Sequence, residues 1–80
     1  MKKEKVPIMD IYLAGYLTMQ GIPPELTLQG TRVCFEFPAT KEVYKHAKDY
    51  NDNPDVPILN FVATVRRLRA QMLAGRGDRK

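Results

Sequence analysis

The chain is 80 residues long, 44% hydrophobic and 28% charged, which suits one small domain with a modest core. That composition excludes a disordered chain, a collagen-like fibre and a disulfide scaffold, and the lone Cys34 fits a reducing compartment. The net charge of +4 is terminal: Lys2, Lys3 and Lys5 outweigh Glu4, six basic residues outweigh Asp78 after position 60, and residues 10–60 are net acidic.

Residues 1–8 read as a basic N-terminal segment, but Asp10 follows early and no small-residue cleavage site appears, so a signal peptide is not expected. Asp10 stands before Ile11–Gln20, a run without a charged residue, and Gly21 closes it ahead of Pro23-Pro24. A capping acid, an apolar body and a glycine stop describe one helix. Met9, Leu13, Tyr16, Leu17 and Gln20 share one side of it, while Tyr12 and Met19 widen the apolar arc. In so small a protein such a helix should be buried on most sides or pressed against another chain. Tyr12, Tyr16 and Met19 are therefore the candidate interface, most simply with a second copy as a homodimer.

From Glu25 the hydrophobic period switches to two, and Gly30-Thr31 separates two alternating runs. They read as a hairpin with a two-residue turn, glycine first as type II′ prefers. That loop pairs Gln29 with Arg32, Leu28 with Val33, Thr27 with Cys34 and Leu26 with Phe35. Leu26, Leu28, Val33, Phe35 and Phe37 then form the expected buried face.

Thr40 caps a second helix from Lys41 to about Tyr50, with a narrow apolar stripe of Val43, Ala47 and Tyr50. Asn51 to Asp55 is a turn by composition. Pro57 suits the first turn of a last helix in which Ile58, Phe61, Val62, Val65, Leu68 and Met72 recur at three and four, and Gly75 stops it. The expected architecture is a single small α+β domain over 9–74: a helix, a two-stranded antiparallel hairpin, then two helices. A flexible basic tail follows at 75–80.

Asp10-Ile11-Tyr12-Leu13-Ala14 with Leu17 and Gly21, then Phe35-Glu36-Phe37, Tyr50, and a closing helix with Pro57, Phe61 and Leu68 carry a family likeness. Over about residues 9–72 the chain resembles a small bacterial family known only as a domain of unknown function. It departs in Pro23-Pro24 and in its arginine-rich end. The resemblance implies a fold and brings no catalytic or binding residue with it.

Chemistry-bearing constellations are sparse. Cys34 and His46 could in principle form a thiolate pair, but Cys34 alternates away from the Phe35 face and His46 sits beside Lys45 on a polar helix side. Asp49, Asn51, Asn53 and Asp55 alternate like the start of a calcium loop, yet Pro54 replaces its glycine and Asn60 its bidentate glutamate. Arg76-Gly77-Asp78 is a tripeptide of the kind that chance supplies often. Arg69 falls inside the last helix's apolar stripe, where it either snorkels or pairs with a carboxylate such as Asp10, Glu36 or Asp49. The sequence therefore points to a soluble, cytoplasmic, noncatalytic module without metal or cofactor, acting on itself or on another protein and not on a membrane. The alternative is a nucleic-acid binder whose contacts would be Arg66, Arg67 and Arg69 with the basic tail. A loose likeness to ribbon-helix-helix DNA binders is weakened by Glu36, which would face phosphates.

Overall fold

A computed structural model describes residues 4–75. Its elements are β1 (Lys5–Ile8), α1 (Ile11–Met19), β2 (Glu25–Gln29), β3 (Arg32–Pro38), α2 (Lys41–Asn51) and α3 (Ile58–Gly75). The basic tail, including the Arg-Gly-Asp tripeptide, lies from residue 76 outside the described residues.

The sheet has three strands, not the two expected, in the order β1-β3-β2 and antiparallel throughout. The hairpin register is the one its pattern dictates, with Leu26 opposite Phe35 and Leu28 opposite Val33. Gly30 takes φ +65 and Thr31 stays negative, as a II′ turn requires. The added strand comes from the segment read as merely basic: Val6 pairs with Phe37 and Ile8 with Phe35. A four-residue strand that opens on Lys5 and holds Pro7 gives too short an alternation to stand out. Pro7 is tolerated for a geometric reason. A two-residue turn makes Gln29 and Arg32 a hydrogen-bonded pair, so the even residues of β3 bond to β2 and the odd ones to β1. Pro7, opposite Glu36, therefore turns its nitrogen to the open edge, where no donor is needed. Across the sheet Lys5 of β1 and Glu25 of β2 form an ion pair on the face that carries Glu36.

The other face takes all three helices. Phe35 and Phe37 are packed with Ala14 and Leu17 of α1, Val43 of α2 and Leu68 of α3, and Ile8, Ile11, Leu26 and Met72 close the margins. Leu28 belongs to the same face but is 55% exposed, since it lies at the turn end of the edge strand, beyond the cover of the helices.

Capping explains where the helices begin and stop. The Asp10 carboxylate accepts from the Tyr12 and Leu13 amides at the start of α1. At its end the Ile22 amide donates to the Leu17 carbonyl and Gly21, at φ +90, to that of Thr18, a Schellman closure that seats Ile22 against the core. Thr40 Oγ1 accepts from the Val43 amide, and Asn53 at φ +58 ends α2 with its amide on the Tyr50 carbonyl.

α1 meets α3 at Gly15, where a Cβ would lie 2.9 Å from Val65 Cγ2. Gly15→Ala should therefore destabilise by about 1–3 kcal/mol despite alanine's better helix propensity. Phe35→Ala should cost about 3–5 kcal/mol and Leu28→Ala less than about 1. Urea titration ranks the three, and equal losses at Phe35 and Leu28 would show that the helices cover the turn end of β2 as well.

Candidate functional site

α3 carries more apolar surface than the core absorbs. Val65 and Leu68 are buried, and Phe61 and Met72 half-buried, on the side that meets α1 and the sheet. Ile58 (64%), Leu59 (80%) and Val62 (37%) stay exposed. At 100° per residue Val62 stands about 60° around the helix from Val65, outside the arc that α1 covers. The stripe expected from the sequence thus divides: Phe61, Val65, Leu68 and Met72 go inward, Ile58 and Val62 outward.

Beside these exposed residues lies a cleft of about 790 Å³, lined by Tyr12, Tyr16, Tyr50, Pro54, Asp55 and Phe61 among others. Its walls are aromatic. The Tyr12 and Phe61 rings stack with centroids 6.4 Å apart, and Tyr16 and Tyr50 meet at 5.8 Å. A shallower hollow shares Tyr12 and Phe61 as its wall and continues past Val62 and Val65 to Arg66 and Arg69. The two hollows adjoin at the stacked Tyr12 and Phe61 rings and together make an interrupted groove along α3, with the Asp55 carboxylate bordering one part and the Arg66 and Arg69 guanidinium groups the other. Asp10 adds to the acidic end: its charge, after burial, is the next cause that raises the Tyr50 phenol above its ordinary value, with Tyr12 a third.

The sequence-predicted residues do not form a single patch. Tyr12, 49% exposed, rims the groove, but Tyr16 is buried as its floor. Met19 lies on the far side of α3, with Asn60, Ala63, Thr64 and Arg67. The arginines divide in the same way, Arg66 and Arg69 on the groove and Arg67 beside Met19. Arg69 is exposed and has no carboxylate partner among the described residues. Cys34 is fully buried on the sheet face that alternates away from Phe35, whereas His46 stands edge-on to Tyr16 with Nδ1 4.0 Å from Asp49 Oδ2. The alternating acid-amide run is put to separate uses: Asp49 faces Lys45 at 3.9 Å, Asn53 stops α2 and Asp55 borders the cleft. Among the described residues no three His, Cys, Asp or Glu side chains are grouped to hold a metal ion, and no helix is long and apolar enough to cross a membrane.

Sequence reasoning missed Ile58, Leu59, Tyr50 and Asp55 as surface-forming residues. The available signal was Leu59, which fits no core spacing on α3.

Tyr50 supplies a test of the cleft. The fold favours its neutral form, so its share of stability is present below the ordinary tyrosine pKa near 10 and lost as pH rises past it. Ultraviolet titration should show one of the four tyrosines ionising late, above the pH where thermal stability begins to fall. Tyr50→Phe should remove that late step, and Asp10→Asn should bring it down only in part because burial is the larger cause.

No curated protein and no solved structure matches the chain. A family model described as Domain of unknown function (DUF5659) matches residues 3–74. That span takes in β1 and reaches almost to the end of α3, so it covers every element of the fold. The chain, as its Asp10–Ala14 and Phe35–Phe37 segments suggested, belongs to this family of domains of unknown function.

Proposed function

We propose that this domain is a noncatalytic interaction module that works through protein contacts at the groove between α1 and α3, in a bacterial cytoplasm. The observation that carries the reading is the exposure of Ile58, Leu59, Val62 and Tyr12 together, beside an aromatic cleft. Large apolar side chains grouped in this way, rimmed by charge, are what interfaces use, and a solvated surface gains nothing from them. The cytoplasmic part of the reading draws on the lone, buried, free Cys34; the bacterial part draws on the family resemblance alone. Against nucleic acid stand the division of Arg66 and Arg69 from Arg67 and the carboxylate of Asp55 in the same groove, where phosphates would be repelled.

Two measurements separate the readings. The apolar probe bis-ANS should brighten on the native protein, and most of that gain should vanish in Tyr12→Glu/Val62→Glu with circular dichroism unchanged. Labelled duplex and single-stranded oligonucleotides should show no tight retention at about 0.15 M salt. Tight binding there that Arg66→Glu/Arg67→Glu abolishes would overturn the proposal in favour of a nucleic-acid module.

A further inference from the structure

We infer that the groove receives a second copy of this chain, docked with α3 antiparallel to the partner's α3 and with Val62 at the two-fold axis. The inference rests on the groove being a contact surface and adds its occupant and geometry.

The argument starts from spacing. Ile58, Val62, Arg66 and Arg69 are exposed and fall within about 40° of one line along α3, the line left over once Phe61, Val65 and Leu68 have turned inward. Asp55, on the loop just ahead of the helix, borders the same groove. The positions 55, 58, 62, 66 and 69 are symmetric about 62, with steps of three, four, four and three. A helix laid antiparallel against its own copy about Val62 therefore sets Asp55 opposite the partner's Arg69, Ile58 opposite the alkyl stem of the partner's Arg66, and Val62 opposite itself. The first two contacts occur twice and the Val62 contact once, on the axis, as a closed two-fold interface demands.

Charge decides the direction. A parallel pairing would stack Arg66 and Arg69 on their copies and leave Asp55 against Asp55, like facing like at every charged level. The antiparallel pairing brings the acidic end of one groove, Asp55 with Asp10 nearby, onto the arginine end of the other. It also sets the two helix dipoles head to tail. Arg69, without a carboxylate among the described residues of its own chain, gains one. Tyr12, beside Val62 and Arg66, gives the pair an aromatic shoulder on each side. Leu73, exposed and a further four residues along the same line, extends the apolar stripe toward the loop end of the partner's cleft.

The stripe is narrow, so the pair should be a reversible one in the micromolar range. Sedimentation equilibrium of the full chain over roughly 5–500 µM should show mass rising above the 9.2 kDa of one copy. Arg69→Asp should weaken association by about tenfold, and Asp55→Arg added to it should restore most of the loss, since the swap recreates both pairs in reverse. Oxidation of Val62→Cys should give a disulfide-linked dimer, while Arg67→Cys, on the far side of α3, should give none; buried Cys34 supplies the background in both. Mass that stays at one copy throughout overturns the inference, and so does a dimer that cross-links at Arg67→Cys and not at Val62→Cys. If bis-ANS still reports the groove in a protein that stays monomeric, the interaction-module reading stands and self-pairing alone falls; loss of both signals removes both.

Discussion

The fold hangs on β3. Among the described residues it is the one strand paired on both sides, and its odd residues serve two purposes at once: Phe35 and Phe37 bond to β1 through their backbones and carry the core on their side chains. Leu17, Val43 and Leu68 bring one residue of each helix into the buried cluster that holds these two rings. A two-stranded hairpin offers only one flank to such rings and is marginal alone in water. Adding Val6 and Ile8 opposite Phe37 and Phe35 widens the apolar floor enough to seat α1. The short β1 is therefore a structural necessity, despite its lysines and its proline.

What the sequence could and could not disclose follows from the range of each interaction. Features set within a few residues were legible: the Asp10 and Thr40 caps, the Gly21 stop, the Gly30-Thr31 turn and, through it, every pair of the β2–β3 register. The β1–β3 pairing joins residues about thirty apart, and nothing local in Lys5-Val6-Pro7-Ile8 demands it. Side-chain exposure was only half legible. Periodicity placed Tyr12, Tyr16 and Met19 on one apolar arc of the first helix, but which of them meets solvent depends on where α3 crosses. The crossing at Gly15 sends Tyr12 and Met19 to opposite sides of α3, while Tyr16 packs against His46 and Tyr50 of α2. The same crossing separates Arg67 from Arg66 and Arg69, so an arginine cluster in the sequence is no cluster on the surface.

α3 shows a core demand and a surface demand written into one helix. Burying Phe61, Val65, Leu68 and Met72 fixes its rotation, and the covering layer beside it is only the nine residues of α1. A helix that short spans about 13 Å and cannot shelter both the inward residues and Ile58, Leu59 and Val62. Rotating α3 to bury Val62 would lift Leu68 from the sheet and press Arg69 into the core, an exchange of one apolar contact for a buried charge. The exposed apolar line is thus the residue of a rotation the core determines. That it is made of Ile, Leu and Val, where lysine or glutamate would serve solubility better, is the part that packing within the chain does not explain.

The charge distribution bears on how such a surface works. Two copies of net charge +4 repel at a distance, and that repulsion fades over a Debye length of about 8 Å at physiological salt. Much of the excess sits near the chain ends, at Lys2, Lys3 and beyond Arg69, while the groove itself carries both signs. Salt therefore acts on the proposed pair in two opposing ways, relieving the long-range repulsion while weakening the Asp55–Arg69 contacts at the rim. The apolar centre at Val62 and Ile58 responds to neither. A nearly flat salt response is the signature of that balance, and it differs in kind from phosphate binding, where each cation engaged steepens the loss of affinity with salt. The arginines on the groove are in this view directional elements: they set which way the partner lies, and the apolar line beneath them supplies the adhesion.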